Sequence, residues 1–87
     1  MVIKFTSHAL LKIEILKKHG IDIPRGMIED IIKNPDIIEH GYRNRKVAQE
    51  IISERHVLRV VYEKTMEGII VITMYPGRRA RYEKDKI

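Results

Sequence analysis

The chain has 87 residues, 44% of them hydrophobic and 33% charged, with 17 Lys and Arg against 12 Asp and Glu for a net charge of +5. This length leaves no room for two independent cores, so one domain spanning 1–87 is expected, and the absence of cysteine excludes a disulfide framework, a thiolate zinc site and a cysteine nucleophile. The longest apolar run, Gly68 to Met74, falls far short of the roughly 20 residues a membrane helix needs, and the N-terminus lacks a signal-peptide core; a soluble cytoplasmic protein with no membrane partner is expected.

Taken in chain order, Thr6 or Ser7 can cap a first helix whose apolar positions Ala9, Leu10, Ile13 and Leu16 recur at helical spacing and which Gly20 stops. Pro24 suits the first turn of a second helix with Met27, Ile28, Ile31 and Ile32 as its buried stripe, ended by Asn34 and Pro35. Beyond Asp36 the period changes. Short β-branched runs separated by turn residues predict up to four antiparallel strands, roughly 37–42, 45–53, 56–63 and 69–75. The expected fold is α+β: two N-terminal helices packed on one face of a three- to four-stranded antiparallel sheet. Basic residues lead acidic ones by eleven to seven from Ile37 onward and by only six to five before it, so the excess charge belongs to the strands and the C-terminus.

Side-chain alternation splits the last two strands into faces. One parity puts His56, Leu58, Val60 and Tyr62 with Ile70, Ile72 and Met74, and this set is the better core. The other puts Arg59 and Val61 with Ile69, Val71, Thr73 and Tyr75 on an uncovered face, with Arg78 and Arg79 just beyond its rim.

An open face with a mid-strand arginine and a cluster of arginines at its end suits a phosphate backbone. Guanidinium forks match phosphate oxygens in pairs, and tyrosine stacks on an unpaired base. The candidate RNA-binding residues are Arg59, Thr73, Tyr75, Arg78, Arg79 and Arg81. The alternative for Arg79, Arg81 and Lys84 is a solvated basic tail. His8 and His56 are the histidines placed to move a proton, although such residues are more often structural. The four histidines show no metal-ligand spacing, so no metal and no cofactor is expected. Two helices joined by a short turn evoke a DNA-reading motif, but Glu29 and Asp30 lie on the exposed side of the second, where a reading helix needs donors. Phosphate-binding glycine loops and serine-nucleophile motifs are missing.

The segment "FTSHALLKIEILKKHGIDIPRGMIEDIIKNPD" followed by "LRVVYEKTMEGIIVITMYPGRRARYE" resembles small domains related to the BrnT toxins, within the broader RelE/ParE-like superfamily of toxin-antitoxin systems. The likeness covers nearly the whole chain and rests on the early His8, the "KHGI" and "NPD" helix ends and the basic, tyrosine-containing end of the strand pair. It implies two helices on one face of an antiparallel sheet whose other face works on RNA. It also implies a metal-independent endoribonuclease, often acting on ribosome-bound messenger RNA and neutralised by a cognate antitoxin. By that likeness Arg59 corresponds to the mid-sheet arginine, Arg78, Arg79 or Arg81 to the C-terminal basic residues and Tyr82 to a terminal tyrosine, which with His8 makes Arg59, Arg78, Tyr82 and His8 the catalytic candidates. The chain departs from these relatives after the last strand, where "MYPGRR" stands in place of a "SAR" segment. A non-enzymatic binding module of the same fold is the rival reading. A third reading is a homo-oligomeric structural protein, paired across a two-fold axis through exposed alternate positions such as Ile69 and Val71; a homodimer of this kind is compatible with either functional reading.

Overall fold

Thr6 decides where the first helix begins. Its hydroxyl accepts from the Ala9 amide at 3.0 Å and donates to the Ile72 carbonyl at 3.0 Å, so one side chain caps the helix and ties it to the sheet. In the computed structural model, which describes residues 2–41 and 43–82, α1 runs Ser7–Lys18 and α2 runs Arg25–Lys33. The end of α1 is a Schellman closure. Gly20, at φ +84°, sends its N–H to the Lys17 carbonyl and Ile21 sends its own to Leu16, satisfying carbonyls the helix cannot. Pro24 occupies the cap position of α2, just outside the first turn, and Asn34 bonds back to Asp30 at 2.9 Å.

The sheet has five strands in the order β1-β5-β4-β3-β2, with β1 at Val2–Phe5, β2 at Ile37–His40, β3 at Arg45–Ile51, β4 at His56–Lys64 and β5 at Gly68–Arg78. The fold class is therefore α+β as expected, but the strand count and the purely antiparallel sheet are corrected. β1, missed in the sequence, is four residues long and pairs parallel to β5, from Val2 opposite Gly68 to Phe5 opposite Val71. Four residues carry too little period to separate a strand from a frayed N-terminus, and the pairing spans more than sixty residues of chain. A third helix, the single turn α3 at Arg79–Tyr82, follows β5 directly. Tyr42, the last residue of the expected 37–42 strand, and Lys84 lie outside the described residues. No helix among the described residues is long and apolar enough to cross a membrane.

The hydrophobic core lies between the sheet and the two long helices. Ile28 and Ile31 of α2, Ala9 of α1, and Leu58, Val60 and Val71 of the sheet are all fully buried there. Each large aliphatic chain so buried contributes about 1.5–3 kcal/mol. One prediction about this face fails. Val61 stands opposite Thr73 but Tyr62 stands opposite Val71, so Ile72 is an extra residue in a β-bulge. The bulge inverts the parity of the first half of β5. Ile69 and Val71 join Tyr62 and Met74 in the core, while Ile70 and Ile72, assigned to it by simple alternation, are only half-buried. Ile69 and Val71 are thus not available to pair across a two-fold axis.

Candidate nucleic-acid interface

The far end of the β4–β5 hairpin gathers four arginines of the C-terminal half, Arg55, Arg78, Arg79 and Arg81. A turn at Ser53–Arg55 leads into β4. The Ser53 hydroxyl accepts from the His56 amide at 3.2 Å and lies 3.4 Å from its Nδ1, which holds the imidazole at the strand's first position. His56 pairs with Arg78, the last residue of β5, so the two side chains emerge on the same face. Beyond Arg78 the chain turns into α3. There the Arg79 amide donates to the Arg55 carbonyl at 2.9 Å and its guanidinium to the Glu54 carbonyl at 3.3 Å.

Arg55, His56, Arg78, Arg79 and Arg81 consequently surround two adjoining depressions, of about 410 and 320 Å³, that share His56 and Arg78. Arg55, Arg78 and Arg81 are exposed there. Close like charges repel one another, and a polyanion relieves that repulsion while releasing its own counterions.

Arg59 is not part of this cleft, and its expected place on an open face is corrected: it is 5% exposed. Two features cover it. β2 and β3 bring Glu39 and Gln49 over the same face, and α3 folds back so that the Tyr82 ring lies on the guanidinium, 4.3 Å from its carbon to the ring centroid. The Nε donates to the Tyr75 hydroxyl at 3.0 Å, one terminal nitrogen donates to Gln49 Oε1, and the other donates to Glu39 Oε2 at 2.9 Å. Burial works against the charge on Arg59, yet the bonds to Glu39 and Tyr75 outweigh it and the group is held more firmly protonated than usual. The same hydrogen bond holds the Glu39 carboxyl below the ordinary carboxylate range, prevailing over its partial burial. With its charge matched by Glu39 and its planar faces occupied, Arg59 is a positioning residue. It fixes Tyr82 and hence α3, which carries Arg79 and Arg81.

The remaining candidates divide the same way. Tyr75 and Tyr82 are half-buried and engaged with Arg59, so neither presents a free ring to a base. Gly77 makes that arrangement possible: a Cβ built there would sit 2.2 Å from the Tyr82 ring. His8, on the first turn of α1, places Nε2 3.1 Å from the Thr73 hydroxyl. That pair shares the sheet face of Arg59 but lies toward the β1 side of β5, outside the lining of the arginine cleft.

Sequence reasoning missed Arg55, Glu39 and Gln49. Arg55 was within reach, because a register opposing His56 to Arg78 necessarily sets Arg55 beside Arg79. Glu39 and Gln49 were not, because nothing local says that two further strands extend over Arg59. Among the described residues no group of three or more His, Asp or Glu is placed to hold a metal ion.

No protein-family model, no curated protein and no solved structure matches the chain.

Proposed function

We propose that this protein is a toxin-like RNA-binding protein that grips the RNA backbone at the arginine cleft and cleaves it without a metal. The observation carrying this reading is the convergence of Arg55, Arg78, Arg79 and Arg81 around one histidine, His56. Phosphate contacts from such a group supply affinity whatever the base sequence. Backbone cleavage by an attacking ribose 2′-hydroxyl requires loss of that proton, stabilisation of the crowded phosphate and a proton for the departing 5′-oxygen, leaving a 2′,3′-cyclic phosphate and a 5′-hydroxyl. Arg78 supplies the second, while His56 and Glu54, which lines the same depression, are the groups in the cleft suited to proton transfer. Two helices on one side of the sheet and a basic C-terminal edge support the RelE/ParE-like arrangement as the architectural side of this reading. Ribosome-bound messenger RNA as substrate and a cognate antitoxin as partner follow from it.

The test is to induce the protein in a bacterial host and map new 5′ ends across its transcripts, beside an Arg78→Ala/Arg81→Ala variant. Both positions are exposed, and circular dichroism of the variant checks that it is folded. Cuts in the wild type alone establish a ribonuclease at this cleft. Salt-sensitive RNA binding without cuts leaves a non-enzymatic binding module, and no binding at all overturns the proposal.

A further inference from the structure

His56 borders a third depression. On the helix side of the strand, between the α1–α2 turn and the β3–β4 turn, a hollow of about 330 Å³ is lined by Ile21, Asp22, Met27, Ile52, Ser53 and His56 among others. Its size is at the low end of small-molecule sites. Its lining differs from that of the arginine cleft. Ile21, Met27 and Ile52 pack against the core, are half-buried and line the hollow, giving it an apolar wall. The polar side chains are the Ser53 hydroxyl, the Asp22 carboxylate and the His56 imidazole, which the hollow shares with the arginine cleft. Asp22 is exposed and takes part in none of the salt bridges among the described residues, although the basic cleft begins at the next wall.

We infer that this hollow is a guanine-binding subsite, occupied by a base whose phosphate lies in the arginine cleft across His56. The inference rests on the RNA-binding reading above and adds a base preference to it. An unstacked base needs apolar surface against its faces and matched hydrogen bonds on its edge. The three aliphatic chains meet the first need. For the second, an ionised carboxylate offers only acceptors, so it fits an edge that presents donors side by side. Guanine alone does so: its Watson–Crick edge carries N1–H next to the N2 amino group, whereas the edges of adenine, cytosine and uracil place an acceptor next to each donor. The Ser53 hydroxyl, which accepts from the His56 amide, completes the polar side at the boundary with the phosphate cleft. The complementarity is also electrostatic. A carboxylate beside a phosphate site is repelled by a bound backbone unless it is engaged by N–H donors, so Asp22 selects against bases that leave it unmatched.

The experiment titrates the whole chain, with Ile and Met methyl groups and backbone amides labelled for NMR, with the four ribonucleoside 5′-monophosphates in turn. All four are expected to move the signals of His56 and Arg78 through their phosphate. Guanosine 5′-monophosphate alone should also move the methyls of Ile21, Met27 and Ile52, binding roughly tenfold more tightly than the others, the discrimination expected of one well-matched pair of hydrogen bonds. Asp22→Asn, at an exposed turn position, should erase that preference, weakening guanosine 5′-monophosphate and tightening the other three, which no longer meet an unmatched carboxylate. Equal affinities with silent methyls overturn the subsite and leave the phosphate cleft standing. If no nucleotide moves His56 or Arg78, the RNA-binding reading fails and the subsite fails with it. The wild-type titration decides between these results even if the variant is poorly folded.

Discussion

The guanidinium of Arg59 lies between the sheet and the ring of Tyr82, with 4.3 Å from its carbon to the ring centroid, so the most buried arginine of the fold is also the anchor of its last helix. A residue that reads in the sequence as a hand held out to phosphate is instead the fastening for the residues that reach it. The consequences of this inversion can be measured.

Arg59→Ala should destabilise the fold rather than silence a site in an intact protein. It strips partners from Gln49, Tyr75 and Glu39 at once. Glu39 is half-exposed and regains water, which limits the loss to roughly 1–3 kcal/mol, in the range for unsatisfied buried polar groups. Arg59→Lys should recover little of it, because an ammonium cannot serve three differently placed acceptors and a ring face together. Chemical denaturation of the two variants beside wild type checks both statements; equal stability of all three would remove Arg59 from its structural role.

Gly77→Ala should reproduce the effect of Tyr82→Ala on RNA affinity. The added methyl would collide with the ring, a movable group, so the expected response is displacement of Tyr82 and loosening of α3 rather than unfolding. Fluorescence anisotropy with a labelled RNA should show both variants binding several-fold more weakly. Tyr82→Phe, which keeps the ring, should bind like wild type.

The acid limb of stability should depend on Glu39. Its carboxyl titrates below the ordinary range in the folded state because of Arg59, so the stability it confers is fully present above the unfolded value of about 4 and is lost as pH falls through the lower folded value. Thermal melts of wild type and Glu39→Gln should therefore differ most near neutrality, with wild type the more stable, and converge in strong acid. A constant gap across pH would show that the carboxyl's ionisation is not what matters.

Glu50 should behave in the opposite sense. Burial, followed by the nearby charges of Asp36 and Asp30, raises its pKa, so the ionised form costs stability that is recovered as pH falls through the raised value. Glu50→Gln is expected to melt higher than wild type at neutral pH and to lose that advantage in acid.

Gly68→Ala should release the first strand. Gly68 sits at φ +153°, and a Cβ there would lie 2.0 Å from the Val2 carbonyl oxygen, a backbone atom that cannot move without breaking the β1–β5 pairing. Faster amide exchange at residues 3–5, with β3 and β4 still protected, is the expected signature.

Both long helices, four of the five strands and the hydrophobic side of β4 are legible in the amino-acid order, because these follow from local period, capping and turn chemistry: Thr6 and Gly20 bound α1, and Leu58, Val60 and Tyr62 alternate into the core. That order also places Arg78, Arg79 and Arg81 at the end of a strand pair. Tertiary structure alone decided the rest. Whether Arg59 meets water depends on Glu39, Gln49 and Tyr82, which approach it from 10 to 23 positions away along the chain. The parity of β5 turns on one extra residue, Ile72, and since side chains alternate with a period of two, a single insertion exchanges core for surface from Ile69 to Val71. β1 exists only because β5 is there to pair with it. Local pattern sets what each segment can become, while burial, charge matching and edge pairing are sums over segments that the chain brings together only on folding.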